Sequence, residues 1–171
     1  MAERALRGVA LPGTVAVGEE APDFELPALV GGAKQRVRLS SYRGEGSAVL
    51  AFYPFNWQPS SAEQMKAYQA QRARFQSSRA ETIAITVDSI MNTTSWEREI
   101  GPLDFPLCSD FWPHGEVCSR YGVFRTVEPY AGACERAIFV VDRSGRIVFR
   151  KLYPFDGVPP LDDIFPTLEK L

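Results

Sequence analysis

The segment from residue 48 to residue 65 constrains the fold most, because it changes character within a few positions. Residues 49–53 are an apolar run typical of a buried strand, and Pro54 ends that run. A helix follows, opened by a second proline and by Ser60, which has capping-box spacing to the glutamate three positions later. This order places the end of the loop at a helix N-terminus, where free N–H groups favour an anion. A cysteine there would be a low-pKa thiolate, but the chain has Ser61.

Strand and helix patterns alternate along the rest of the chain. Strand patterns lie at 36–39, 48–53, 82–87, 105–108, 137–141 and 147–152, and helix patterns lie at 60–77, 96–100, 114–121 and 161–171. Residues 123–135 contain a proline and a glycine without a clear period, so they are predicted to form a loop. The order predicts an α/β fold with a mixed central sheet and helices on both faces. Sites in such sheets form beyond the carboxyl ends of strands, which is where residues 54–61 lie.

Length and composition are those of an ordinary globular protein. The 171 residues are enough for one domain with a real core, and we expect a loosely held arm at 1–20 and a single domain at 21–171. A net charge of −2 predicts no attraction to nucleic acid or to a membrane. No stretch approaches the roughly 20 apolar residues of a membrane span. The N-terminus lacks a signal-peptide pattern, so the expected location is cytoplasmic.

The cysteines are few and widely spaced. Cys108, Cys118 and Cys134 form no Cys-x-x-Cys pair, and His114 is the only histidine in the sequence. A zinc site needs a tighter cluster, so we expect neither a metal nor another cofactor. A structural disulfide framework is not expected either, because a reducing cytoplasm keeps thiols reduced.

The loop after residue 53 resembles the active-site loop of the peroxiredoxins, the alkyl hydroperoxide reductase/thiol-specific antioxidant family, whose motif is Pro-x-x-x-Thr/Ser-x-x-Cys. Without gaps, Pro54 matches the proline, Gln58 falls on the Thr/Ser and Ser61 falls on the peroxidatic cysteine. The segment that begins at Arg136 resembles the one that carries the family's active-site arginine. Further landmarks of the family lie at 21–27, 105–111 and 121–123. Within the family, the chain resembles the alkyl hydroperoxide reductase E and bacterioferritin-comigratory-protein types.

The resemblance implies a thioredoxin-like fold and a site for a hydroperoxide or another small anion beside Arg136. In the family a thiolate attacks the peroxide and becomes a sulfenic acid, which a thiol protein then reduces. Ser61 has no sulfenic state, and no base that could activate its hydroxyl is apparent. Gln58 is longer than Thr or Ser and would crowd the peroxide. Ordinary peroxidase activity is therefore expected to be lost, and a binding or interaction role is favoured.

Two other readings stay open at this stage. An antioxidant oxidoreductase could use a displaced thiol, either Cys134, expected to be exposed with a pKa lowered by the nearby Arg136, or Cys108, near the end of its strand. A structural subunit could instead pair with an active paralogue. A homodimer is compatible with all three readings, and the sequence does not identify the ligand, the reductant or the oligomeric state.

Overall fold

The computed structural model describes residues 14–171, so most of the predicted arm at 1–20 lies outside the described residues. The strands of the described part are β1 (Glu25–Val30), β2 (Ala33–Arg38), β3 (Ser47–Phe52), β4 (Ala80–Thr86), β5 (Leu107–Ser109), β6 (Ala137–Val141) and β7 (Ile147–Leu152). The α-helices described there are α1 (Pro59–Ala70), α2 (Arg72–Ser77), α3 (Ile90–Ile100), α4 (Glu116–Arg120) and α5 (Phe165–Leu168), with short 3-10 turns at Leu39–Tyr42 and Leu161–Asp163. Among these helices none is both long and apolar enough to cross a membrane.

The strands form one mixed sheet in the order β2-β1-β5-β4-β3-β6-β7. β3, β4 and β5 run parallel, while β6 pairs antiparallel with β3 and with β7. All six residues of β3 are buried, because Leu50 pairs with Ile83 on one side and with Phe139 on the other while helices cover the sheet. A strand covered on both faces has a continuous apolar sequence, and for that reason the strand was predicted from the apolar residues that follow residue 48.

The core has two layers, one on each face of the sheet. Successive side chains of a strand point to opposite faces, so Phe52 joins one layer and Tyr53, just beyond β3, joins the other. Helices α1, α2, α3 and α5 pack on the Tyr53 face, and α4 packs on the Phe52 face. The predicted arrangement of a mixed sheet with helices on both faces is therefore confirmed.

The predicted elements agree with the structure best where apolar runs are long. The strands predicted at 137–141 and 147–152 have the observed bounds, and those at 48–53 and 82–87 are shifted by one or two residues. β1 was not predicted, because Pro27 within it argues against a strand; β5 pairs only with Ala28 and Leu29, beyond that proline. The helix predicted at 60–77 is broken at Gln71. The closing helix predicted at 161–171 is only a 3-10 turn followed by four α-helical residues.

Residues 123–135 form no helix or strand, as the predicted loop requires, but they fold back on themselves as a hairpin. Phe124 and Cys134 face each other in a β-bridge, and the Arg125 and Glu135 backbone N–H groups bond to the carbonyls of Ala133 and Val123 at 2.8 and 2.7 Å. We call this segment the 123–135 hairpin. Because it folds back on itself, it returns the chain to the sheet directly before β6.

Candidate functional site

The segment between β3 and α1 is anchored at the carboxyl end of the parallel strands. Pro54 is buried directly after β3, and the Tyr53 hydroxyl donates to Asn56 Oδ1 at 2.8 Å. The Asn56 backbone N–H donates to Asp88 Oδ2 at 2.6 Å, which ties this segment to the one after β4. Burial raises the pKa of Asp88 from its ordinary value. These contacts fix the direction in which α1 begins.

Helix α1 begins two residues earlier than the capping-box pattern predicted, because that pattern made Ser60 the N-cap residue. Its N-cap residue is Gln58, which is extended and makes no side-chain cap bond, and a proline occupies the first turn. Ser60 therefore lies inside the helix, and its hydroxyl accepts a hydrogen bond from Arg136 Nη2 at 3.1 Å. The predicted capping box is wrong, because the side chain that would form it is turned towards a cation.

Arg136 is the centre of a buried polar cluster and has no exposed surface. Its Nη1 donates to Gln64 Oε1 at 2.5 Å, and its Nη2 donates to Gln58 Oε1 at 2.8 Å and to Ser61 Oγ at 3.0 Å. Nε and Nη2 both donate to the carbonyl of Phe155 at 3.2 Å. These acceptors are all neutral, and within residues 14–171 Arg136 forms no ion pair. We call Gln58, Ser60, Ser61, Gln64, Arg136 and the Phe155 carbonyl the Arg136 cluster.

Gln58 fills the space beside Ser61 with its amide group. Its Oε1 accepts from Arg136 and from the Ser61 hydroxyl, the latter at 3.1 Å. Its Nε2 donates to the Phe155 carbonyl at 3.1 Å and to Asp156 Oδ1 at 2.9 Å. Both ends of the amide are satisfied, so the side chain closes the cluster from within and links it to an exposed carboxylate.

Ser61 is fully buried and uses its hydroxyl both as donor and as acceptor. It is the third residue of α1, and its backbone N–H bonds to the Gln58 carbonyl at 3.0 Å. His114 is occupied elsewhere, with Nε2 2.8 Å from the Gly132 carbonyl. The Ser61 hydroxyl contacts the Gln58 amide oxygen and the charged Arg136 guanidinium, and neither group can take up its proton as a general base, so nothing in the cluster can activate it as a nucleophile.

Burial dominates the electrostatics of the cluster. It lowers the pKa of Arg136 to about 10, which still leaves the guanidinium charged at neutral pH. Burial also raises the pKa of Tyr68, whose hydroxyl accepts from Gln64 Nε2 at 2.7 Å. A cation surrounded by neutral dipoles at the start of a helix is an arrangement that favours an anion.

An aromatic group covers the cluster on the side of Phe155. Tyr130, in the 123–135 hairpin, stacks on Phe155 with ring centroids 5.4 Å apart and planes 8° apart. Phe55 meets both rings edge-on, at 5.5 and 6.0 Å. The Arg125 guanidinium carbon lies 4.9 Å from the centroid of the Phe155 ring. The hairpin therefore touches the residue whose carbonyl binds Arg136.

Neither cysteine proposed as a displaced thiol is available beside Arg136. Cys134 is fully buried and forms a disulfide with Cys118, so the expectation of an exposed thiol is wrong, as is the expectation of no structural disulfide. The cause is the 123–135 hairpin, which turns Cys134 inwards. Cys108 is fully buried in β5, where burial raises the pKa of its thiol, so it is protonated at neutral pH.

Two members of the cluster escaped the reading of the sequence. Gln64 is not among the predicted site residues, yet it is fully buried. Gln58, Ser61 and Gln64 are spaced by three, which puts them on one helical face, and that spacing could have revealed Gln64. Phe155 takes part through its backbone carbonyl, which leaves no trace in the residue type.

Comparison with known proteins shows one consistent likeness. The model of the AhpC/TSA family matches residues 17–150. Alkyl hydroperoxide reductase E of Mycobacterium tuberculosis is 36% identical over 136 residues, which cover 80% of this chain and 84% of that protein. Peroxiredoxin-2 of Bos taurus is 33% identical over 135 residues, covering 75% of this chain and 65% of that protein.

Solved structures agree at the level of the fold. A 2-Cys peroxiredoxin of Plasmodium vivax has a TM-score of 0.83 at 22% identity, over 91% of this chain and 81% of that one. The peroxidoxin BcpB of Mycobacterium tuberculosis has a TM-score of 0.76 at 24% identity, over 91% of this chain and 97% of that one. These likenesses confirm the predicted thioredoxin-like fold.

Proposed function

Because the chain belongs to the AhpC/TSA family yet carries Ser61 and Gln58 where the family motif has its thiol and its hydroxyl, we propose that it has lost the ordinary peroxidase reaction and serves as a binding module. The observation that carries this proposal is the contact of Arg136 Nη2 with a serine hydroxyl and a glutamine amide, at 3.0 and 2.8 Å. The charged guanidinium donor of the family site is therefore present beside Ser61, but the sulfur that it would stabilise is absent from that position.

The chemistry of the family reaction explains why the substitution matters. A thiolate attacks one peroxide oxygen, the O–O bond breaks, and the sulfur becomes a sulfenic acid that a second thiol reduces. A serine hydroxyl stays protonated near neutral pH and cannot form a sulfenic acid. The cation and the helix N-terminus can stabilise charge in the transition state, but the group that they would stabilise is missing.

We propose a small oxyanion or carboxylate as the ligand of the Arg136 cluster. If the Gln58 amide turned away, the freed position would offer Arg136 Nη2 and the hydroxyls of Ser60 and Ser61 to an anion. Arg136 has only neutral partners, so an anion would supply the missing countercharge in a setting where charged hydrogen bonds are strong. A hydroperoxide could enter the same position without being reduced.

The ligand class can be tested with acetate against acetamide, which has nearly the same shape but no charge. Acetate should raise the thermal midpoint of the protein in proportion to its binding, and acetamide should not. The Gln58→Ala variant should bind acetate more tightly than the wild type, because the competing amide is gone. Equal effects of acetate and acetamide, or no gain in Gln58→Ala, would contradict the anion proposal.

Loss of peroxidase activity is tested by stopped-flow reaction of the reduced protein with hydrogen peroxide. The rate constant should not exceed that of free cysteine, because Cys108 is buried and protonated. A rate far above that value would support the alternative of an active enzyme with a displaced thiol. The variants Cys108→Ser and Cys134→Ser would then show which sulfur reacts.

A role as a partner subunit is a second candidate, favoured by several exposed apolar side chains. Bulky apolar side chains are exposed at 53% for Trp57, 72% for Met91, 52% for Phe111 and 82% for Trp112. A second copy of the chain or a paralogue would cover them. Sedimentation analysis of the wild type should show a dimer that Trp112→Ser weakens, and a monomer at all concentrations would sink the homodimer.

The location of the protein stays part of the proposal. A cytoplasmic location was predicted from the lack of a signal-peptide pattern. The Cys118–Cys134 disulfide points the other way, because the cytoplasm keeps most thiols reduced. The disulfide and a cytoplasmic location are compatible if the Cys118–Cys134 bond forms only under oxidising conditions.

A further inference from the structure

We infer that Cys118 and Cys134 form a two-electron redox site that controls how tightly the 123–135 hairpin closes the Arg136 cluster. Oxidised, the pair holds the hairpin against the aromatic group; reduced, it releases the hairpin and opens the cluster. This inference goes beyond the proposed function and does not depend on what the cluster binds.

The disulfide encloses the whole hairpin. Cys118 lies in α4 and Cys134 lies at the end of the hairpin, 16 residues further along the chain. The Val123 backbone N–H bonds to the Cys118 carbonyl at 2.9 Å, so the hairpin starts directly from the helix that carries the first sulfur. Breaking the bond removes the covalent restraint on every residue between them.

The hairpin in turn holds the ring of Phe155. Tyr130 stacks on that ring, and the Arg125 guanidinium lies over it. Arg125 is itself held by Glu135 within the hairpin, through contacts of 3.0 and 3.2 Å to the two carboxylate oxygens. The side chains of this ion pair are only 18% and 17% exposed, so it stiffens the hairpin more than a surface pair would.

Phe155 passes the restraint to the Arg136 cluster. Its carbonyl accepts hydrogen bonds from Arg136 Nε and Nη2 and from Gln58 Nε2. Arg136 also follows Cys134 by two residues, so the position of the hairpin's end determines the position of the Arg136 backbone. Movement of the hairpin therefore reaches the cluster by two routes, through the Phe155 ring and through the chain itself.

The redox step is an exchange with a protein dithiol of the thioredoxin type. A thiolate of that dithiol attacks one sulfur, the Cys118–Cys134 bond breaks and a mixed disulfide forms. The second thiol of the reductant then displaces the protein, which leaves with both cysteines as thiols. The reductant gives two electrons and two protons and becomes a disulfide.

Access to the sulfurs links the exchange to the motion of the hairpin. Both cysteines are fully buried, so a thiolate can reach them only after the hairpin opens. Tyr130→Ala removes one aromatic pair and should speed reduction by dithiothreitol about fivefold. Leu171→Ala removes an apolar side chain of similar exposure, 57% against 55% for Tyr130, and it should leave the rate unchanged. Equal reduction rates in the wild type and Tyr130→Ala would contradict the coupling.

Hydrogen exchange of the oxidised and the reduced protein tests the proposal directly. Reduction should speed exchange in residues 123–135 and also in residues 153–157, while β4 stays protected. The Cys118→Ser/Cys134→Ser variant should exchange like the reduced wild type, and Cys108→Ser should still respond to reduction. If the exchange rates change only in the residues beside the two cysteines, the disulfide stabilises the chain only locally, and the inference is overturned.

The state of the sulfurs is measured in the same samples by alkylation under denaturing conditions. The oxidised protein should take label at Cys108 alone, and the reduced protein should take it at all three cysteines. If the protein keeps three free thiols after treatment with diamide, the bond does not form and the inference fails. If the double variant does not fold, chemically reduced wild type supplies the same comparison.

Discussion

The Arg136 cluster and the 123–135 hairpin hold the same residue, Phe155, by different means. The cluster binds its carbonyl with hydrogen bonds from a buried cation, and the hairpin, which a disulfide closes, contacts its ring by stacking. The Arg136 cluster has a buried cation but no sulfur. The 123–135 hairpin has a sulfur at its end, but that sulfur is bonded to Cys118 in a disulfide. A thiol site of the family type needs both at one point, so the comparison separates the retained scaffold from the missing chemistry.

Bringing the sulfur to the cation should have the largest effect. Ser61→Cys would place a thiol at the start of α1 beside Arg136, where the cation and the helix dipole lower its pKa below the reference of about 8.5. In the single variant the Gln58 amide still fills the peroxide position. The double variant Ser61→Cys/Gln58→Thr should therefore react with hydrogen peroxide at least about tenfold faster than the single one, by the usual contribution of an oriented polar group.

The matched control for that experiment is Ser60→Cys. Its sulfur would lie near the same guanidinium nitrogen, which is 3.1 Å from the Ser60 hydroxyl, but on the preceding residue of the helix. A low thiol pKa without fast peroxide reduction in Ser60→Cys would separate charge from geometry. If the double variant keeps an unshifted thiol pKa and gains no peroxide reactivity, the two sites differ by more than the missing sulfur.

Removing the cation should have the next largest effect, this time on stability. Arg136→Ala leaves the Gln64 amide oxygen without its donor, leaves the Gln58 amide oxygen and the Phe155 carbonyl with one donor each, and opens a cavity. The free energy of unfolding should fall by about 4 kcal/mol, limited by the relief of burying a charge. Urea unfolding measures this loss, and Arg143→Ala, at an exposed position, should change it by less than about 0.5 kcal/mol. A loss below 1 kcal/mol would mean that the cluster does not organise the site.

How far the sequence predicted these two regions depends on which groups carry them. β3 and β6 were predicted because a strand buried on both faces is a continuous apolar run. The resemblance to the family pointed to Gln58, Ser61 and Arg136, and the structure brings their side chains together.

The hairpin was hidden from the sequence for a physical reason. It is held by backbone pairs such as Glu135 with Val123 and by a bond between cysteines 16 residues apart, and neither produces a periodic pattern. The Phe155 carbonyl is equally invisible, because every residue has one. Long-range pairing and backbone acceptors appear only once the chain is folded.

The disulfide should stabilise its region about as much as a loop of this length allows. Closing a loop of roughly 15 residues restricts the unfolded chain and contributes about 3 kcal/mol. The oxidised wild type should therefore unfold at higher urea than the Cys118→Ser/Cys134→Ser variant by that amount, and the reduced wild type should resemble the variant. Identical unfolding of the oxidised and reduced protein would show that the hairpin is held by its aromatic contacts alone.

The smallest effect is expected at Asp156, where the Arg136 cluster meets solvent. Its exposed carboxylate accepts from Gln58 Nε2 at 2.9 Å, so it helps to keep the amide turned inwards. Asp156→Ala should lower the free energy of unfolding by about 0.5 kcal/mol, the usual contribution of an exposed charged contact. It should also tighten acetate binding, because a less restrained Gln58 leaves the anion position more often. Asp162→Ala, at another exposed aspartate, should change neither quantity. If urea unfolding shows that Asp156→Ala lowers the free energy of unfolding by 2 kcal/mol or more, the carboxylate stabilises the Arg136 cation itself and does not act only by orienting Gln58.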